Sequence, residues 1–289
     1  MTFALFPCCS PPVLLVQYES SSRAILRKLG VEFTEIKDFN CCGYPLRNFN
    51  FKAFVLSSAR NLALAEKKNI SLMTVCNCCF GNLKYVDHLM KADPALADEV
   101  NTTLKKEGLT YEGRIEAFHL LDVLFNHVGM DRIEDQIERR FAGLRIATHY
   151  GCHILRPSKV VQFDNPLAPS IFDRLVEVTG AESVPWGTKL ECCGAPLLGV
   201  EDELSMDLTK RKVKDAKQAG AHYLCAACPF CHIQFDTVQK RLGRRSENND
   251  CLPSILYPQL LGLTMGIDEN TIGLHMNQLD ISGITRFLS

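Results

Sequence analysis

Two short apolar runs stop just ahead of a cysteine: Phe3-Ala4-Leu5-Phe6 before Cys9 and Leu144-Arg145-Ile146-Ala147 before Cys152. Each has the length and continuity of a strand buried on both faces. A helix-like segment follows in both places, Arg23 to Leu29 and Ile171 to Thr179, closed by Gly30 and Gly180; glycine just past a periodic stretch is a helix stop. A second helix-like stretch comes next, Phe51 to Lys68 and Glu203 to Gln218. It leads into a second strand, Ser71 to Val75 before Cys76, and His222 to Leu224 toward Cys228. The tails correspond too, with His119 to Leu124 leading to Gly129 as Leu256 to Leu261 leads to Gly266. The pattern predicts an α/β fold of two pseudo-symmetric halves, residues 1–141 and 142–289, each with mainly parallel strands and flanking helices. In such sheets ligands sit beyond the carboxyl ends of strands, which is where Cys9, Cys76, Cys152 and Cys228 fall.

The cysteines obey the same repeat. Cys9 is followed after 31 residues by Cys41-Cys42, and after 33 more by Cys76 and Cys79 in a CxxC. Cys152 is followed after 39 residues by Cys192-Cys193, and after 34 more by Cys228 and Cys231. Ten of the 14 cysteines are thus placed by one rule applied twice. Five thiols per half exceed the four ligands of a structural zinc site and point to an iron–sulfur cluster. Adjacent cysteines grip one cluster only through a tight turn. Gly43 and Gly194 tolerate the positive φ this needs, and Pro45 and Pro196 stiffen the exit. Zinc in one half is the alternative that an isolated CxxC leaves open.

Cys8, Cys78, Cys225 and Cys251 lie outside the rule and read as small buried apolar side chains. Cys8 is also a possible substitute for Cys9, and Cys225 with Cys228 spells a second CxxC; the spacing from Cys193 selects Cys228 and Cys231. His153, beside Cys152, is a candidate to donate a hydrogen bond or a proton to a thiolate. His232, beside Cys231, reads more readily as a core histidine. Ser10 and Phe80 stand at the corresponding first-half positions, so the two sites are expected to be chemically unequal.

Composition narrows the function. Charges nearly cancel, 32 Lys+Arg against 33 Asp+Glu, and no basic block suggests nucleic acid. The N-terminus has no basic region of a signal peptide. The longest apolar stretch, Leu252 to Ile267, spans only sixteen residues and contains Pro258 and Gln259, which argues against a membrane span. The cysteine density suits metal or redox chemistry in a reducing, cytoplasmic setting. No P-loop, GxGxxG or GxSxG is present, so no nucleotide or flavin is expected on this chain. Lys52, Arg156, Lys159 and Lys189 are candidates to meet an anionic substrate.

The doubled pattern includes Cys-Cys-Gly-Tyr-Pro-Leu at 41–46 and Cys-Cys-Gly-Ala-Pro-Leu at 192–197. It also includes Cys-Asn-x-Cys-Phe at 76–80 and Cys-Pro-x-Cys-His at 228–232. It resembles the cysteine-rich CCG domain family and, with two such domains in a chain of this length, the B subunits of heterodisulfide reductases. The resemblance covers nearly the whole chain; it departs at Cys78, where the family usually has glycine. It implies two noncubane [4Fe-4S] clusters. Cys9, Cys41, Cys42, Cys76 and Cys79 would hold one, and Cys152, Cys192, Cys193, Cys228 and Cys231 the other. It further implies a disulfide cleaved between them, the mixed disulfide of coenzymes M and B or an analogous small or protein disulfide. Electrons would come from the flavoprotein of a heterodisulfide reductase-type complex, its A component, through a ferredoxin-like iron–sulfur protein, its C component. The other readings are a non-catalytic electron relay in a dehydrogenase complex and a zinc-stabilised scaffold protein.

Overall fold

The computed structural model describes residues 2–9, 14–243 and 251–289. Ser10, named above opposite His153, lies outside the described residues. The first half runs β1 (Thr2–Phe6), α1 (Val16–Lys28), β2 (Glu32–Thr34), α2 (Phe51–Lys67), β3 (Ser71–Thr74), α3 (Asn77–Ala92), α4 (Pro94–Leu104) and β4 (Ala117–His119). The second runs β5 (Arg145–His149), α5 (Ile171–Glu177), β6 (Glu182–Ser183), α6 (Asp202–Gln218), β7 (Tyr223–Ala226), α7 (Pro229–Ile233), β8 (Ser254–Leu256) and α8 (Tyr257–Thr264). Shorter helical turns fill the connections.

Each half builds a four-stranded sheet, in the order β2-β1-β3-β4 and β6-β5-β7-β8. Every pair is parallel, and the registers match: Phe6 lies opposite Thr74 as His149 lies opposite Ala226. Parallel strands must be covered on both faces, which is why they read as unbroken apolar runs. In this strand order the chain leaves β1 toward one side of the sheet and β3 toward the other. Loops beyond the two strand ends diverge and leave a crevice suited to ligands.

The halves are not separate bodies. Phe3, Leu5 and Met73 from one face of the first sheet share a core with Ile146, Tyr223, Cys225 and Ile255 from the second. Helices α1 and α8, one from each half, pack against each other within it. The opposite faces, carrying Ala4, Phe6 and Leu72 in one sheet and Ala147, Leu224 and Ala226 in the other, belong to a second core. That core contains the thiols Cys42, Cys76, Cys79, Cys193, Cys228 and Cys231.

Candidate functional site

Cys9, Cys76, Cys152 and Cys228 follow the carboxyl ends of the two central strands of each sheet, and the Cys-Cys pairs come from the segments that follow the edge strands β2 and β6. Cys76 is the N-cap of α3 and Cys228 the N-cap of α7, so each CxxC occupies a strand-to-helix junction. The two cap thiols differ: burial, then hydrogen bonding to Cys228, pushes Cys76 up, while hydrogen bonds from Cys231, Cys76 and Cys78 outweigh burial and hold Cys228 down. The Cys-Cys pairs are held by a left-handed glycine, Gly43 at φ 81° and Gly194 at φ 94°. The turn aims the glycine N–H at the first thiol of the pair, with N to Sγ 3.4 Å in both halves.

The same sequence of contacts links the thiols in each half. Cys9 touches Cys41, Cys41 touches Cys42, Cys42 touches Cys79, and Cys79 touches Cys76. In the second half Cys152 touches Cys192, Cys192 touches Cys193, Cys193 lies 3.5 Å from Cys231, and Cys231 touches Cys228. The two paths meet: Cys228 contacts both Cys76 and Cys78, and the three sulfurs lie within 4.8 Å of one another. All ten expected residues are therefore gathered, five to a half, and the halves join at their CxxC ends. None of the cysteines forms a disulfide.

The electrostatics repeat as well. Hydrogen bonds from the Cys42 thiol, then from Cys9 and the Gly43 N–H, pull Cys41 down to about 2. Hydrogen bonds from Cys152, then from Cys193 and the Gly194 N–H, do the same to Cys192, also about 2. Cys42 and Cys193 go up to about 12, chiefly because each donates to that neighbouring thiolate. One thiol of each pair is thus set as a ready anion. A set of five linked thiols, with a backbone donor on one of them, exceeds a tetrahedral zinc shell and fits an iron–sulfur group.

His153 sits at the junction. Its Nδ1 is 3.2 Å from Cys78 Sγ and 3.7 Å from Cys152 Sγ, and Tyr44 packs edge-on at 5.3 Å. Burial pushes the imidazole below its ordinary value. His232 is fully buried, faces Ser254 Oγ at 3.1 Å and is driven down to about 4 by burial, as suits a core histidine. Cys225 is buried in β7 on the face away from the thiols. Cys8 and Cys78, expected as inert side chains, instead lie among the thiols: Cys8 Sγ is within 4.8 Å of Cys76 and Cys79. Of the basic candidates, Lys52 pairs with Glu99 at 2.7 Å and Lys189 with Asp173 at 2.5 Å. Arg156 donates to the Leu190 carbonyl at 3.2 Å.

Three residues of the site escape the sequence pattern. Asn77 donates from Nδ2 to the Tyr150 carbonyl at 2.7 Å, tying α3 to the loop before Cys152. His149 and Lys212 lie against the second set of thiols. The lone signal for His149 is its place at the end of a strand three residues ahead of a cysteine-bearing loop; Asn77 stands inside the Cys-Asn-x-Cys-Phe motif, which does not say what it contacts, and nothing in the sequence marks Lys212.

The chain matches the family described as a cysteine-rich domain, CCG, over residues 3–84 and 146–236. It is 32% identical over 280 residues to the B subunit of the ferredoxin/F420H2-dependent CoB-CoM heterodisulfide reductase of Methanosarcina acetivorans, covering 96% of this chain and 93% of that one. It is 31% identical over 279 residues to the 8-methylmenaquinol:fumarate reductase membrane anchor subunit of Wolinella succinogenes, covering 96% and 97%. Among solved structures, a hypothetical protein from Helicobacter pylori superposes with a TM-score of 0.77 at 19% identity, over 98% of this chain. This chain spans about half of that one, 52% of its length, and the likeness is one of fold.

Proposed function

The chain belongs to the CCG cysteine-rich domain family, among relatives of the heterodisulfide reductase B subunits, and on that premise we propose that it is the disulfide-cleaving iron–sulfur subunit of a larger redox complex. Residues 1–141 and 142–289 each form a CCG domain in this reading. Cys9, Cys41, Cys42, Cys76 and Cys79 hold one noncubane [4Fe-4S] cluster, and Cys152, Cys192, Cys193, Cys228 and Cys231 hold the other. The observation that carries the reading is the mirrored path of thiol contacts, whose ends meet at Cys76, Cys78 and Cys228.

When bound, the clusters supply electrons one at a time. Cleaving a disulfide takes two electrons and two protons and releases two thiols, so two facing one-electron sites match the stoichiometry. The residues of the chain do the rest. The low-lying Cys41 and Cys192 are ready anions for metal. Asn77 and the Tyr150–His153 loop fix the distance between the halves. His153, half-buried between Cys78 and Cys152, holds a proton within reach of a departing thiolate. The electrons enter from partner proteins, a ferredoxin-like iron–sulfur protein fed by a flavoprotein. No described helix is long and apolar enough to cross a membrane.

The test is anaerobic purification with iron and sulfide analysis, then EPR of the oxidised protein with candidate thiols, including coenzymes M and B. About four irons and four sulfides per half are expected, with a new signal elicited by one thiol and not by others. One zinc per half would remove the reading. The likeness to the Wolinella protein favours a second reading, an electron relay within a larger complex. Full iron loading with no thiol-dependent signal would select it.

A further inference from the structure

The two sets of thiols are matched in position, yet the second is crowded by two groups that the first lacks. Lys212, on α6, is 1% exposed. Its Nζ donates to the Thr188 carbonyl and lies 4.6 Å from the Trp186 ring centre. No described carboxylate is within ion-pair distance of it; the groups that act on it are the thiols Cys193 and Cys231, then Glu191 and Cys192. His149, at the end of β5, is 1% exposed. It has a ring nitrogen within 4.8 Å of the sulfurs of Cys193 and Cys231, and neither nitrogen has a hydrogen-bond partner. A buried imidazole with nothing to bond leaves its desolvation uncompensated, unless a group occupying the site accepts its N–H.

The first half is neutral at both positions. Phe6 ends β1 three residues before Cys9, as His149 ends β5 three residues before Cys152. Asn61 follows Gly43 by 18 residues, as Lys212 follows Gly194 by 18. The Phe6 ring offers no N–H, and the Asn61 amide is spent on the carbonyls of Asn40, Cys41 and Ser57; what faces a first-half sulfur is a neutral amide, Asn82 Nδ2, 3.5 Å from Cys42 Sγ.

We propose that Lys212 and His149 make the second half the electron-attracting site, so that the group held by Cys152, Cys192, Cys193, Cys228 and Cys231 has the higher reduction potential of the two. Adding an electron makes an iron–sulfur group more negative. A nearby fixed ammonium and an N–H donated to its sulfurs both favour that state. Lys212 and His149 are positioning residues here and touch no substrate. An electron supplied by the donor protein reduces the second site first, and the first site takes the next. The inference rests on the reading that each half holds an iron–sulfur group.

The test is a dithionite titration of the loaded chain, followed by EPR, with Cys79→Ala and Cys231→Ala chains assigning the two signals to their halves. Wild type is expected to show two potentials, the second half higher. Lys212→Met and His149→Phe are each expected to cut the equilibrium constant for reducing the second site about tenfold, 59 mV for one electron. The first site stays in place, and Lys212→Arg keeps the wild-type value. Where Lys212→Met fails to load iron, His149→Phe decides. Equal potentials in wild type, or equal shifts of both sites in the variants, would overturn the inference. A chain that binds no iron overturns the proposed function along with it; a fully loaded chain with unmoved potentials overturns this inference alone.

Discussion

A Cβ at Gly194 would stand 2.5 Å from the Ser205 carbonyl oxygen, and one at Gly43 would stand 3.0 Å from that of Phe54. Both glycines have positive φ, so alanine is strained even before it collides. The backbone on which each would fall is the first turns of α6 and α2, which have no room to retreat. Gly194→Ala is therefore expected to cost more than Gly43→Ala, roughly 2–4 kcal/mol against 1–2, read as a shift in the urea midpoint. Each should also lower the iron content of its own half, because the displaced N–H no longer faces Cys192 or Cys41. Cys78 calls for the opposite expectation. It sits within 4.8 Å of Cys76 and Cys228 but has no second-half counterpart in the pattern of ten. Cys78→Ala should keep iron in both halves, while Cys79→Ala empties the first; iron loss in Cys78→Ala would show that the ligand set is wrong.

At the scale of elements, much was legible because the strands of a parallel sheet announce themselves. The run Phe3 to Phe6 becomes β1, and the helices read at Phe51 to Lys68 and Glu203 to Gln218 end within a residue of α2 and α6. Helix α1 begins seven residues before the segment read from the pattern. Its first turns carry the buried polar residues Gln17, Ser21 and Ser22, and the two serine hydroxyls donate back to the Gln17 and Tyr18 carbonyls, so no apolar stripe marks them. Strands β2 and β6, of three and two residues, are edge strands too short to hold a pattern. The ten thiols were legible as a set through spacing alone. The residue that ties the halves was not, since Asn77 takes its meaning from Tyr150 far along the chain, and the same holds for His149 and Lys212, which matter only beside thiols of other segments. His119, closing β4, is such a residue. It is fully buried, accepts from the Leu121 N–H at 3.2 Å, and is held at about 4 by burial, down from 6.5. A histidine kept neutral in the fold binds fewer protons than in the unfolded chain between those two values. Its contribution is thus intact above pH 6.5 and lost as pH falls toward 4. Between pH 7 and 5 this amounts to about 2 kcal/mol. His119→Asn keeps an acceptor for Leu121, and the urea midpoint of the variant should fall less steeply over that interval; parallel slopes would assign the acid sensitivity elsewhere.

For the molecule as a whole, the question is whether its two sites work as one. They are built on separate sheets, yet they touch through a narrow seam. Asn77, one residue into α3, reaches across to the Tyr150 carbonyl, and Gly151 follows at φ 76°. A Cβ at Gly151 would lie 2.5 Å from Asn77 Nδ2 and 3.5 Å from Cys231 Sγ. Alanine there cannot be absorbed within one half, since moving the loop displaces Cys152 and moving Asn77 displaces the turn that carries Cys76 and Cys79. Gly180 provides the control. It has φ 87°, and a Cβ would lie 2.5 Å from the Phe141 carbonyl oxygen, a clash with backbone away from the thiols, harder than the side-chain clash at Gly151. Both variants should lose stability, Gly180→Ala the more, about 2–4 kcal/mol. Gly180→Ala should retain the wild-type EPR of both sites. Gly151→Ala should alter both spectra together and slow disulfide cleavage beyond any loss of iron. If only the second site responds, the seam is a passive contact, and each half then reacts to its own ligands alone.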